Sequence, residues 1–193
     1  MRRLCVFSGS NPGAHPEYAR AAEELARTLA DAALGLVYGG AAVGLMGVLA
    51  DTALEAGVEV VGVIPQTLVD REIAHPGVRD LRVVGSMHER KALMADLADG
   101  FIALPGGMGT LEELFEVYTW TQLGLHSKPL GLLDVRGYYG GLAAFLDHAV
   151  QERFLTPEHR EMLVFEERPA AMLEAFRRWR PPSVGKWIDR TQT

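Results

Sequence analysis

The residues with most chemistry in them stand in two short runs. Ser86-Met87-His88-Glu89-Arg90-Lys91-Ala92 holds two consecutive cations, and Pro105-Gly106-Gly107-Met108-Gly109-Thr110-Leu111-Glu112-Glu113 joins a glycine-rich turn to two consecutive carboxylates. Glycine lets a backbone approach a ligand closely and aim its N–H groups at it. A helix opening directly after such a turn adds free amide donors and a positive dipole end. The second run therefore predicts an anion site, because three glycines within Gly106–Gly109 exceed what a tight turn needs. Gly107-Met108-Gly109 begins like a dinucleotide fingerprint, but Glu112 stands where the third glycine belongs, and no Gly-Lys-Ser/Thr ending of a P-loop occurs. A redox dinucleotide or a triphosphate is disfavoured.

Glu113 has two readings. Thr110-Leu111-Glu112-Glu113 has the form of a capping box, which would make Glu113 a helix cap. The same carboxylate lies within a helical turn of the anion site, where it would stabilise a cationic sugar and position a water. Ser86 to Glu89 is a second capping box, so a helix is expected to start at Ser86. Arg90 and Lys91 then sit against the dipole, and the expected compensation is an anion, either a bound phosphate or Glu113 itself. The alternative is a solvated charged face. His88-Glu89 begins like a zinc helix, but Ala92 replaces the second histidine, and no metal is expected. There is no Gly-x-Ser-x-Gly elbow, and Lys91, Lys128 and Lys186 carry no local signal for a Schiff base, so no cofactor is expected.

Elements must bring these runs together. Short apolar runs at Leu4–Phe7, Leu36–Tyr38, Val58–Ile64, Leu81–Val84, Phe101–Leu104, Leu130–Leu133 and, weakly, Met162–Phe165 predict strands. Between most of them lie helical patterns, at Pro16–Ala33, Leu45–Ala56, Met87–Ala98, Leu111–Leu123, Tyr138–Arg153 and Pro169–Trp179. The alternation predicts an α/β protein with a Rossmann-like, doubly wound, mainly parallel sheet and helices on both faces. Residues 1–180 are expected to form a single domain, followed after Pro181-Pro182 by an irregular tail, 181–193. Such sheets bind ligands beyond the carboxyl ends of their strands. Those ends carry Ser8–Gly13, Gly39–Gly44, Gly85–Lys91 and Pro105–Thr110, so Gly9, Ser10, Gly40, Met87 and Gly106 are expected to line a pocket.

The totals set limits. A chain of 193 residues with 48% hydrophobic and 23% charged residues is an ordinary globular protein. A formal charge of −6 argues against binding the backbone of nucleic acid, though not against a local pocket for one small anion. Cys5 is alone in an apolar run and is expected to be a buried strand residue. The run after the first arginines is too short for a signal peptide. Ala32 to Ala50 is uncharged and nearly long enough for a membrane span, but its glycines fit strand, turn and helix better. A cytoplasmic location without membrane attachment is expected.

The two chemistry-bearing runs together resemble the paired signature of the LOG family, the cytokinin riboside 5′-monophosphate phosphoribohydrolases, often labelled lysine decarboxylases. Tyr38-Gly39-Gly40 with Gly44-Leu45-Met46-Gly47, and Thr119-Trp120 with Gln122-Leu123-Gly124, are similar too, and the resemblance runs from Val6 to about Leu155. It implies a Rossmann-like fold, a homodimer, and Arg90 with Glu113 as catalytic pair. It also implies Glu72, Lys91, Gly107, Met108, Gly109, Thr110, Leu111, Glu112 and Thr119 as substrate contacts. Ala41 stands where many members have a third glycine, and its methyl is expected to narrow the pocket. The implied reaction cleaves the base–ribose bond of an adenine-type nucleoside 5′-monophosphate. Arg90 is expected to hold Glu113 ionised by depressing its pKa. Three rivals are a broader AMP or purine nucleotide nucleosidase, a non-catalytic carrier of a phosphorylated cofactor such as molybdenum cofactor, and a pyridoxal-phosphate lysine decarboxylase.

Overall fold

The computed structural model describes residues 1–71 and 73–180. The expected tail, 181–193, and the expected contact Glu72 lie outside the described residues. Seven strands form one sheet: β1 (Arg3–Phe7), β2 (Gly35–Tyr38), β3 (Val60–Pro65), β4 (Asp80–Val84), β5 (Phe101–Ala103), β6 (Leu130–Leu133) and β7 (Leu163–Glu166). Their order is β4-β3-β2-β1-β5-β6-β7, and every neighbouring pair is parallel. All seven strands lie where the apolar runs place them. β2, β3, β5 and β6 are buried along their whole length, as a sheet covered on both faces requires.

The covering helices divide into two layers. On one face α1 (Pro16–Asp31), α2 (Gly44–Glu55) and α8 (Pro169–Arg178) bury Leu25, Leu29, Leu49, Ala53, Met172 and Phe176 against Leu4, Leu36 and Ile102. On the other, α4 (Met87–Leu97), α5 (Met108–Gln122) and α6 (Gly140–Gln151) bury Met94, Leu114, Val117 and Leu146 against Cys5, Val37 and Phe101. The helix α1 shows why a sequence of this kind folds so. Ala21, Ala22, Leu25, Ala26 and Leu29 fall on one stripe at helical spacing, and Pro16 opens the first turn. Cys5 is fully buried, and burial pushes its thiol pKa well above the ordinary range.

Three differences from the expected elements matter. Two short helices, α3 (Gln66–Val69) and α7 (Pro157–Arg160), were not expected. The second carries a readable signal: Thr156 Oγ1 accepts from His159 N at 3.2 Å, with Pro157 at the first helical position. The helix α5 starts at Met108, three residues before the expected Leu111, with extended Gly107 as its cap residue and Leu111 N donating to Gly107 O at 3.2 Å. Thr110 therefore sits inside the first turn, and the Thr110–Glu113 capping box does not form. As expected, Ala32 to Ala50 splits into β2, a glycine turn and α2; among the described residues no helix is long and apolar enough to cross a membrane.

The chain runs outward from β1 to β4, then α4 brings it back across the sheet to β5 beside β1. The strand order therefore reverses between β1 and β5, the position where open α/β sheets leave a crevice. The carboxyl-end loops of these two strands are joined directly, with Gly9 N donating to Pro105 O at 3.1 Å. Leu25 is fully buried between α1 and the sheet. Leu25→Ala is expected to lower the unfolding free energy by roughly 3 kcal/mol, seen in urea denaturation as a lower midpoint with an unchanged slope.

Candidate active site

A cavity of about 540 Å³ opens at the β1–β5 crevice, within the size range of small-molecule sites. Its walls come from the loop after β1, the start of α2, the first turn of α4, and the loop and first turns of α5. The glycine loop is built in layers. Gly106 is packed so closely on Thr110 and Gly9 that a Cβ there would collide with Thr110 Oγ1. Tyr138 Oη donates to Gly106 O at 2.6 Å, and Tyr139 Oη to Leu104 O at 2.7 Å, so the segment after β6 clamps the loop from outside. Leu45 N donates to Gly9 O at 3.0 Å, tying the start of α2 to the loop after β1.

Gly107 and Gly109 are different. A Cβ at either would meet nothing within 4 Å, and neither has a positive φ. The protein's own packing thus requires no glycine at these two positions. They leave bare backbone beside the cavity, where a helix presents its first, intrahelically unpartnered amides, those of Met108, Gly109 and Thr110.

The cation pair comes from α4. Ser86 Oγ accepts from Glu89 N at 3.1 Å, as the capping box predicts, while Glu89 Oε2 accepts from Gly85 N at 2.8 Å, one residue before the cap. This start turns Arg90 under the sheet. Arg90 Nε donates to Val63 O at 3.0 Å, and Arg90 Nη1 donates to Glu113 Oε1 at 2.6 Å. Both side chains are about nine-tenths buried, and both line the cavity. The guanidinium lies directly over Gly39, where a Cβ would collide with Nη2. Of the two anions expected to compensate Arg90, the protein itself supplies Glu113.

The electrostatics of the pair correct one expectation. Burial disfavours the charged Glu113 carboxylate and raises its pKa; the charge and hydrogen bond of Arg90 pull it back, and the net shift is upward. Arg90 limits the rise instead of producing a depressed pKa. Lys91 goes elsewhere. Its ammonium is held between Glu112 and Glu116, with Glu116 Oε2 at 3.0 Å. Burial works to lower its pKa, but the hydrogen bonds and charges of these two carboxylates outweigh that, and the net shift is upward.

Of the residues expected at the site, Gly9, Ser10, Met87, Arg90, Gly106, Gly107, Met108, Gly109, Thr110, Glu112 and Glu113 line one cavity. Four do not. Gly40 has a positive φ of 75° and packs against Ile64 and Leu81, behind the cavity wall. Lys91 is absorbed in its ion pairs, Leu111 packs against the core beneath its own helical layer, and exposed Thr119 donates to Phe115 O of its own helix at 2.7 Å. Ala41 bridges to Ala74 outside the cavity, so its methyl does not narrow it. Sequence reasoning missed Tyr18, Leu68 and Tyr138 on the wall, which carry no local motif.

Comparison with known proteins bears on this cavity. A family model described as "Possible lysine decarboxylase" matches residues 46–176. A probable cytokinin riboside 5′-monophosphate phosphoribohydrolase of Oryza sativa subsp. japonica is 49% identical, across 94% of this chain and 72% of its own length. A cytokinin riboside 5′-monophosphate phosphoribohydrolase of Arabidopsis thaliana is 47% identical, across 94% of this chain and 84% of its own. The chain belongs to the LOG family. The fold extends further than the family: a molybdenum cofactor carrier protein of Chlamydomonas reinhardtii superposes with a TM-score of 0.70 at 21% identity, covering 92% of this chain and 96% of that one. At that identity the likeness is one of fold alone.

The decarboxylase label does not fit the residues of this LOG protein's cavity. Pyridoxal-phosphate chemistry needs a lysine amine for its Schiff base. None of the described lysines lines the cavity: Lys91 is held by two carboxylates, and Lys128 Nζ donates to Ala95 O at 2.7 Å. Lys186 lies outside the described residues.

The glycine analysis makes a paired prediction. Gly39→Ala drives a methyl into the Arg90 guanidinium and is expected to cost roughly 1–3 kcal/mol of stability and to displace Arg90 from Glu113. Gly107→Ala meets no protein atom and is expected to stay within about 1 kcal/mol of wild type. Thermal melts of both variants, with a crystal structure of the first, check this.

Proposed function

We propose that the protein hydrolyses the N-glycosidic bond of an adenine-type nucleoside 5′-monophosphate, N6-modified bases of the cytokinin kind included, releasing free base and ribose 5-phosphate. The observation that carries this reading is the Arg90–Glu113 ion pair, 2.6 Å across, on the wall of a cavity that is also lined by bare glycine backbone at a helix N-terminus. The names of the curated relatives support the same chemistry.

Breaking a base–ribose bond develops positive charge on the sugar, the oxocarbenium character common to glycoside cleavage. A preorganised carboxylate beside the sugar stabilises that charge at little reorganisation cost. Glu113 fills this role, and its raised pKa also suits it to take a proton from the attacking water. Arg90 fixes the carboxylate's orientation through Nη1 while Val63 O fixes Arg90. The 5′-phosphate docks on the amides of Met108, Gly109 and Thr110. Its binding energy, remote from the reacting bond, positions that bond against Glu113. A carrier protein needs the glycine loop but has no use for a buried carboxylate–guanidinium pair beside it, which favours turnover over storage. The working unit in this reading is a homodimer.

The deciding assay incubates the protein with AMP and with isopentenyl-AMP and quantifies ribose 5-phosphate and free base. Product from at least one is expected, with adenosine left intact for want of a phosphate. Nucleotide recovered unchanged from both would leave the carrier reading in its place. Glu113→Gln is expected to lower kcat by roughly 10²-fold or more while the protein stays folded.

The pH dependence has a defined sign. The active form of Glu113 is the carboxylate, so kcat/KM rises as pH climbs through the folded-state pKa of Glu113. Burial places that pKa above the ordinary glutamate value, so the acid limb should turn over above it. Arg90→Met removes the group that pulls the pKa back, and its residual activity should show an acid limb displaced further upward. A limb at the ordinary glutamate value in both proteins would count against the role.

A further inference from the structure

Arg90 and Lys91 are consecutive on α4 but serve different partners. Arg90 lines the cavity and meets Glu113; Lys91 does not line it. The Lys91 side chain is only 6% exposed, with its ammonium between Glu112 and Glu116 of α5. Glu112 does line the cavity, next to Glu113. It follows Met108 by one helical turn, a rise of about 6 Å. Glu112, Glu113 and Glu116 thus crowd three carboxylates into the second and third turns of α5, just beyond the amides that face the cavity. Three negative charges there oppose the positive end of the helix and repel any anion brought to it. Two cations from α4 offset them, Arg90 at Glu113 and Lys91 at the other two.

We propose that Lys91 is a positioning residue for phosphorylated substrate: by neutralising Glu112 and Glu116 it keeps the start of α5 open to an anion, without touching the phosphate itself. This departs from the direct substrate contact that the family resemblance implies. It rests on the reading that a nucleoside monophosphate docks its phosphate at the start of α5. The geometry supports neutralisation over contact because the ammonium is spent on two carboxylates and is absent from the cavity wall. A lysine reaching for phosphate would have to leave both.

The two roles separate in a double-mutant cycle, read as KM and kcat on whichever of AMP and isopentenyl-AMP the wild type cleaves faster. In the wild-type background, Lys91→Met is expected to raise KM roughly tenfold, the effect of carboxylate charge left uncompensated near an anion. In a Glu112→Gln/Glu116→Gln background the same substitution is expected to leave KM within about threefold, because there is no charge left for Lys91 to neutralise. An equal rise in both backgrounds would mean that Lys91 binds the phosphate directly and would overturn the proposal. No rise in either would overturn it too. Lys91→Gln, which keeps hydrogen bonding but not charge, replaces the methionine variant if that fails to fold, with the same expected coupling. A wild type that cleaves neither nucleotide overturns the functional reading first, and this inference with it.

Discussion

The site is organised around one buried ion pair. A guanidinium and a carboxylate, each about nine-tenths removed from solvent, meet at 2.6 Å between helices that follow different strands. Burying two charges costs several kcal/mol per ion, and their attraction repays it only when the geometry is good and other hydrogen bonds complete the shell. The surroundings meet that condition. Val63 O accepts from Arg90 Nε, and Gly39, lacking a Cβ, leaves room for the guanidinium beside the backbone. An apolar pair of similar size would pack as well, and folding alone gives no reason to keep charges here. The proposed reaction would give one: a carboxylate held in a dry, shaped site stabilises developing positive charge far better than one in water.

The glycines around this pair fall into two kinds. Gly39, Gly44 and Gly106 are demanded by the protein itself, because a side chain at each would collide with Arg90, with the Ser10–Asn11 backbone or with Thr110. Gly107 and Gly109 are demanded by nothing in the chain. They leave open space beside the amides that open α5, which the proposed reading fills with the substrate's phosphate. Tightly packed and open glycines thus share one short loop. The tyrosine hydroxyls of Tyr138 and Tyr139 hold its other side.

Much of this was legible from the chain. The strand positions follow from apolar runs, and the cap at Ser86 from a local motif whose residues are near neighbours. The Thr110–Glu113 motif is the instructive failure. Its letters match a capping box, yet α5 starts at Met108 with Gly107 as its cap residue, so Thr110 is already inside the first turn, where its side chain cannot cap. The direction of the Glu113 pKa shift also escaped local reasoning. A neighbouring arginine predicts a fall, but burial of the carboxylate among residues distant in sequence outweighs it. Lys91 follows the same rule: next to Arg90 in the chain, it turns to Glu112 and Glu116 instead of the cavity.

By itself the sequence determined the class of fold, the strands at whose carboxyl ends the cavity opens, and the two runs that line it. These depend on periodicity and on motifs a few residues long, which local physics reads directly. Arg90 and Glu113 as a pair came from the family resemblance, since local motifs left Glu113 equally readable as a cap. Tertiary structure alone decided which of two adjacent cations enters the cavity, which glycines are spare, that Gly40 and Ala41 stand behind the wall, and that the Glu113 pKa is shifted upward. Each of those is set by atoms brought near from far along the chain, through burial and close contact, and the strand order that reverses between β1 and β5 is what brings them there.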